Sequence, residues 1–157
     1  GGCGGLDLWA VPILPAVEWA RRARLGYVQK TYVHLILNPL GREGVTKDGK
    51  PSTTSDANVM RCDNVLLEFD GLPMEEQLDF WAGIEEPRLR CLTYSGGKSV
   101  HAVLYVGDMV WSEAVSLFRD RIYGPLGIDR AVFTPCRRAR HAGAVRNGVL
   151  QQLMWSR

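Results

Sequence analysis

The sequence lacks the patterns that would assign it to a membrane-spanning, disulfide-rich or zinc-binding class. No run of about 18 apolar residues occurs, so no segment is predicted to cross a membrane. The four cysteines, Cys3, Cys62, Cys91 and Cys136, form no CxxC pair and are expected to be reduced thiols. No basic-then-apolar leader opens the sequence, and a cytoplasmic location is therefore expected.

Acidic residues are missing from the C-terminal part of the chain. Residues 130–157 contain six arginines and no Asp or Glu, whereas all 17 acidic residues lie before them. An acidic body followed by a basic segment suits a site that holds cations on one side and phosphates on the other. The alternative is that the arginines form an ordinary solvated face.

Length and pattern predict a single α+β domain over residues 1–157. Helices are expected at 15–26, 73–83 and 109–123, and strands at 33–37, 65–70, 89–94 and 99–106. Asn147-Gly148 lies between two short apolar segments and predicts a two-residue hairpin. Segment 41–58 has few apolar residues and is predicted to be a mobile loop. Helices and strands alternate irregularly, which favours mixed or antiparallel sheets with flanking helices.

Two acidic residues, Glu68 and Asp70, follow an apolar run that begins at Val65. Residues two apart in a strand share a face, so the two carboxylates are predicted to lie side by side. Their repulsion would be relieved by a proton, an arginine or a metal ion. Oxygen ligands without neighbouring thiols favour Mg²⁺ or Mn²⁺. The alternative is an acidic strand end that simply reaches water.

A Gly-Gly turn at residues 95–97 precedes Lys98, Ser99 and His101. The turn is not a phosphate-binding P-loop, because Leu92 occupies the position of the first glycine and a strand rather than a helix is predicted to follow. Ser99 and His101 would share one strand face, with Lys98 near the turn, and such a group can hold a triphosphate. The alternative for His101 is a satisfied, partly buried histidine within the sheet.

Asp129, the last acidic residue, follows an apolar residue and precedes the arginine-rich segment. It is either a third metal-binding carboxylate or the cap of a turn. Further on, Arg137, Arg140 and Gly143 have the spacing R-x-x-R-x-x-G.

The order E-x-D, S-x-H, apolar-Asp and R-x-x-R-x-x-G, within residues 58–153, resembles the archaeo-eukaryotic primase superfamily, the primase-polymerases. The resemblance is strongest to catalytic domains of phage and plasmid replication proteins. It implies a fold in which an α/β unit adjoins a half similar to an RNA-recognition motif. Two positions depart from the family pattern: Glu68 stands where many members have Asp, and Ala142 stands where proline is expected.

The resemblance also implies an activity, template-directed nucleotidyl transfer by a DNA primase or polymerase with a two-metal mechanism. The catalytic residues and ligands of Mg²⁺ or Mn²⁺ would be Glu68, Asp70 and Asp129. The nucleotide-binding residues would be Lys98, Ser99, His101, Arg137 and Arg140. Arg138 and Arg146 would bind nucleic acid. The implied partners are a DNA template, nucleoside triphosphates, and a helicase or helical priming domain in the full-length protein.

Two other functions are compatible with these residues. A non-catalytic domain of the same fold that binds single-stranded nucleic acid would keep the arginines without needing clustered acids. A metal-dependent nuclease could use the same three acids. The S-x-H pair after a Gly-Gly turn favours triphosphate binding over strand cleavage.

Overall fold

The computed structural model describes residues 15–25, 34–41 and 44–157. The helices are α1 (Ala16–Arg24), α2 (Met74–Gly83) and α3 (Trp111–Ala114), and α3 continues as a π-helical segment, Val115–Ile122. Short 3-10 helices cover Asp56–Asn58, Gly124–Leu126 and Arg130–Val132. The strands are β1 (His34–Ile36), β2 (Gly44–Val45), β3 (Pro51–Ser52), β4 (Asn64–Leu67), β5 (Leu89–Tyr94), β6 (Val100–Tyr105), β7 (Arg138–Arg140), β8 (Val145–Arg146), β9 (Val149–Leu150) and β10 (Gln152–Ser156).

The centre of the fold is a four-stranded antiparallel sheet in the order β10-β5-β6-β4. Separate two-stranded antiparallel ribbons are formed by β1 with β7, β2 with β3, and β8 with β9. Helices combined with antiparallel sheets confirm the predicted α+β class. The likeness of one half to an RNA-recognition motif stays a prediction. Among the described residues, no helix has the length and apolar character needed to cross a membrane.

The central sheet has two differently covered faces, because side chains alternate along each strand. On one face, Val65, Leu67 and Ala102 belong to the larger buried cluster, which includes residues of α2 and of the π-helical segment. Phe69 and Trp81 add tilted aromatic contacts with centroids 6.1 Å apart. Burial of these apolar side chains between the sheet and the helices stabilises the domain.

The opposite face of the sheet is covered by the β1–β7 ribbon. Leu66 of β4 and Val103 of β6 form a second buried cluster with Val132 and with Ala139 of β7. The same alternation that turns Leu66 and Val103 toward the ribbon turns Glu68 and His101 toward it. The ribbon therefore positions the candidate site described below.

The structure corrects the predicted end of β4. A strand over 65–70 was expected, but β4 ends at Leu67, which is the last residue paired with β6. The physical reason is a change of hydrogen-bond partners: the Glu68 carbonyl accepts from the Asp129 N–H at 2.8 Å. On β6, the Val100 N–H donates to the Gln77 side chain at 2.9 Å.

The remaining predictions of secondary structure have mixed outcomes. The Asn147-Gly148 hairpin is confirmed, with β8 paired to β9 and φ angles of 50° and 79° at the two turn residues. The segment predicted as a loop over 41–58 contains the β2–β3 ribbon and a 3-10 helix, which the sequence pattern missed. The third helix begins at Trp111 and includes π-type bonds such as Tyr123 N–H to the Phe118 carbonyl at 2.9 Å. The predicted helix cap at Gly26 and the start of the first strand at Val33 lie outside the described residues.

The cysteines in the described ranges are free thiols, as the sequence predicts. Burial raises the pKa of Cys62, Cys91 and Cys136. Cys3 lies outside the described residues.

Candidate functional site

Glu68 lies at the centre of the candidate site. Its Oε1 accepts a hydrogen bond of 2.5 Å from the Ser99 hydroxyl, and its Oε2 lies 3.5 Å from Nε2 of His101. The carboxylate is largely buried, with 13% of the side chain exposed. The two central motifs of the sequence, E-x-D and S-x-H, therefore meet through direct contacts across the end of β4.

His101 is buried and engaged at both ring nitrogens. Its Nδ1 accepts from the backbone N–H of Arg140 at 3.2 Å, so in the neutral ring Nε2 carries the proton and faces Glu68. This geometry supports the alternative of a satisfied histidine within the sheet. Binding of a nucleotide by His101 stays a prediction, since the ring would have to exchange its present contact with Glu68.

The pKa of Glu68 is lowered to about 2. Burial alone would raise it, but hydrogen bonds with His101 and Ser99 and the positive charge of Arg137 more than offset the loss of hydration. The site therefore holds a permanent negative charge at neutral pH.

Asp70 points to solvent at the edge of the site and pairs with Lys98. Its Oδ1 lies 3.3 Å from the Lys98 ammonium, and about half of the Asp70 side chain is exposed. The predicted pair of crowded carboxylates is thus arranged differently: Glu68 is held by Ser99 and His101, while Asp70 is neutralised by Lys98.

Asp129 reaches the site through its backbone. Its N–H donates to the Glu68 carbonyl at 2.8 Å, which brings the third acidic residue of the predicted set beside the first. Its side chain, however, accepts from the Ala131 N–H at 2.9 Å and caps the short helix Arg130–Val132. The structure therefore contains the turn cap that was the alternative interpretation.

The arginine-rich segment forms the other wall of the site. Arg140 pairs with His34 in the β1–β7 register, and its guanidinium contacts Nε2 of His34. Burial, together with the charges of Arg140, Arg138 and Arg146, lowers the pKa of His34 to about 4, so this imidazole is neutral and accepts from Arg140.

The positive charge of this wall is only partly compensated within the described residues. Burial and the charges of Arg146 and Arg137 lower the pKa of Arg140. The negative charge of Glu68 acts in the opposite direction and offsets part of this lowering. Nε of Arg137 is buried, and in the described part of the chain it has no hydrogen-bond partner. Several cations facing one carboxylate, with a donor unused, form a surface suited to phosphate.

The described residues contain no group of three or more His, Cys, Asp or Glu placed to hold a metal ion. The three acids are suitable oxygen donors for Mg²⁺ or Mn²⁺, but each is occupied by a protein partner. An ion could bind here only after these carboxylates exchange their protein partners for it.

A known structure has a similar fold. The archaeo-eukaryotic primase (AEP) domain of the cyanophage S-2L primase-polymerase matches this chain with a TM-score of 0.53 and 24% sequence identity. The match covers 68% of this chain and 59% of that one, so the chain spans less than two thirds of its structural neighbour. The similarity concerns the fold, and it agrees with the fold that the motif order implied. No protein-family model and no curated protein matches the sequence.

Sequence reasoning missed two residues of the site, His34 and Gln77. His34 is followed by the apolar run of β1, and its pairing with Arg140 depends on a strand contact 106 residues away. Gln77 had a local signal, because it occupies an apolar stripe with Met74, Leu78 and Trp81 at helical spacing. A lone amide on such a stripe indicates a buried hydrogen-bonding role.

Proposed function

We propose that this chain is a DNA primase-polymerase domain that transfers nucleotides to a growing strand under the direction of a template, in the replication of a phage or another mobile element. The observation that carries the proposal is the meeting of Glu68, Ser99 and His101 with the arginines of β7, on a fold similar to an AEP domain. Motifs about 30 residues apart or more in sequence converge at one place, in the order that the family resemblance implies.

In this proposal the chain's own residues bind and orient the substrates. Arg137 and Arg140 pair with nucleotide phosphates, since guanidinium groups suit phosphate geometry. Lys98 and Ser99, at the turn before β6, hold the triphosphate together with His101. Arg138 and Arg146 contact the template, and Glu68 keeps its charge beside the arginines and so limits their mutual repulsion.

The proposal includes Mg²⁺ or Mn²⁺ with Glu68, Asp70 and Asp129 as ligands. When bound, such ions would favour ionisation of the attacking 3′-hydroxyl and neutralise the leaving pyrophosphate. Because the three carboxylates have protein partners, binding of an ion must compete with Lys98 for Asp70 and with Ser99 for Glu68.

Incorporation of nucleotides on a primed single-stranded template tests the proposal. We expect extension of the primer with Mn²⁺ or Mg²⁺ and none with EDTA. Deoxynucleotides and ribonucleotides should be supplied separately, and a template without primer reports de novo initiation. Lack of extension under all of these conditions, by a chain that binds the template, would contradict the proposal.

One observation favours a second function, that of a non-catalytic domain for single-stranded nucleic acid. The described residues contain no group placed to hold a metal ion, whereas the positive charge of the arginines is only partly compensated and Nε of Arg137 has no hydrogen-bond partner among them. A titration with Mn²⁺, followed by calorimetry, separates the two functions. Binding that is lost in Asp70→Ala supports the enzyme, and no binding supports the alternative.

Binding of single-stranded DNA is expected to weaken steeply with salt through Arg137 and Arg140. Each phosphate contact contributes about −0.7 to the slope of log affinity against log salt concentration. Arg137→Ala and Arg140→Ala should each flatten the slope by about that amount. Arg121→Ala, which removes an exposed arginine from the π-helical segment, is the matched control. Unchanged slopes in both site variants would mean that the arginines do not bind phosphate and form an ordinary solvated face.

A further inference from the structure

Gln77 is a fully buried amide in the first turns of α2, with 0% of the residue exposed. Its side chain makes three hydrogen bonds to backbone groups. Nε2 donates to the carbonyls of Leu72 at 2.7 Å and Lys98 at 3.0 Å, and Oε1 accepts from the N–H of Val100 at 2.9 Å. All three hydrogen bonds are directed at the loop after Asp70 or at residues 98–100, where the turn leads into β6.

The two bonds to Lys98 and Val100 lie on either side of Ser99. In an extended chain, the carbonyl of one residue and the N–H of the residue two positions later face the same side. The Gln77 amide binds both groups, as a peptide group of a neighbouring strand would. It occupies the place that β4 leaves free when it ends at Leu67.

The other side of the same segment is held by the main chain. Ser95 N–H donates to the Ser99 carbonyl at 3.0 Å, and Val100 pairs with Tyr94 of β5. The segment 98–100 is therefore fixed on one side by β5 and on the other by Gln77. With the backbone fixed, the Ser99 hydroxyl is aimed at Glu68, at 2.5 Å.

The third bond of Gln77 connects the turn to the loop that carries Asp70. Leu72, whose carbonyl accepts from Gln77, follows Asp70 by two residues. One amide thus ties together the backbone near both members of the Lys98–Asp70 ion pair. A methionine at this position would fill similar space but would leave the Lys98 carbonyl and the Val100 N–H without these partners.

We propose that Gln77 is a positioning residue for nucleotide binding, which acts by holding the turn that presents Lys98 and Ser99. The inference rests on the proposed function, because it assigns a triphosphate to this turn. Gln77 itself is buried beneath the turn and acts through the backbone. Its replacement changes the arrangement of the groups that bind the nucleotide.

The test compares Gln77→Met with Asn58→Leu. Asn58 is also a buried amide, 2% exposed, but it bonds to Ser52 and Ser55 in the β2–β3 region. Binding of dATP and of ATP is measured by calorimetry with Mn²⁺, and the affinity is expressed per folded molecule. Hydrogen–deuterium exchange of residues 95–101 is measured without ligand.

We expect Gln77→Met to weaken nucleotide binding about tenfold, the effect of roughly 1.4 kcal/mol, and to accelerate exchange in residues 95–101. Asn58→Leu should leave both unchanged although it also destabilises the fold. If Gln77→Met does not fold, Gln77→Glu serves instead, because it retains the acceptor for Val100 and replaces the amide that donates to Leu72 and Lys98. The same two changes are expected from it.

The outcomes separate the inference from the function on which it rests. If the wild-type chain binds neither nucleotide, the proposed function fails, and the inference fails with it. If the wild type binds nucleotide and the Gln77 variants bind it equally well, the inference alone is overturned. A loss of affinity equal to that of Asn58→Leu also overturns it, since the role would then be general stability.

Discussion

Asp70→Ala is expected to abolish nucleotide incorporation and to leave the fold intact. In the proposed function Asp70 is a metal ligand, and removal of such a ligand should reduce incorporation by about 100-fold or more. The side chain is half exposed, and its ion pair with Lys98 is at the surface. Exposed pairs contribute about 0–1 kcal/mol, so the melting temperature should change little.

The measurement is single-nucleotide extension of a primed template, with thermal unfolding of the same preparation. Asp79→Ala is the matched control, because it removes an exposed carboxylate from α2 near Gln77. Incorporation at the wild-type rate by Asp70→Ala would show that the metal assignment is wrong. Equal losses in both variants would attribute the effect to net charge.

The sequence predicted those parts of the fold that have a local signal, such as an apolar run or a turn dipeptide. The apolar runs of β4 and β6 and the Asn147-Gly148 turn were sufficient to locate these elements. The β2–β3 ribbon was missed because its strands have two residues each and few apolar side chains. Such ribbons depend on contacts like the hydrogen bonds of the Asn58 side chain to Ser52 and Ser55, which no sequence periodicity predicts.

For the candidate site, the sequence identified which residues carry charge and hydrogen-bonding groups but not how they pair. Spacing placed Glu68 and Asp70 on one strand face, yet β4 ends before them and they have different partners. Whether His101 faces a ligand or the protein depends on the β1–β7 ribbon, which supplies the Arg140 N–H. Contacts between residues about 40 positions apart were not encoded in any local pattern.

Glu68→Gln separates the electrostatic role of Glu68 from its part in the reaction. Like Asp70→Ala, it should abolish incorporation, since it removes a proposed metal ligand. Unlike Asp70→Ala, it should lower the free energy of unfolding at pH 7 by about 1–3 kcal/mol. The physical reason is that Arg137 and Arg140 lose the buried charge that faces them.

The pH dependence of stability gives a second signature of Glu68. Because its pKa in the folded protein is about 2, below the ordinary value of 4.5, the ionised carboxylate stabilises the fold fully above pH 4.5. This contribution is lost as the pH falls from 4.5 toward 2. The difference in unfolding free energy between wild type and Glu68→Gln should therefore be constant from pH 5 to 6 and shrink below pH 4.5.

Urea unfolding of both proteins between pH 6 and pH 2.5 measures this difference, and Glu113→Gln, an exposed substitution on α3, is the matched control. The control should follow the wild-type curve throughout, because it removes an exposed carboxylate that lies outside the candidate site. A difference between wild type and Glu68→Gln that stays constant down to pH 2.5 would mean that Glu68 is not held ionised by Ser99, His101 and the arginines. The electrostatic link between the E-x-D motif and the arginine-rich segment would then have to be abandoned, whatever the variant does to incorporation.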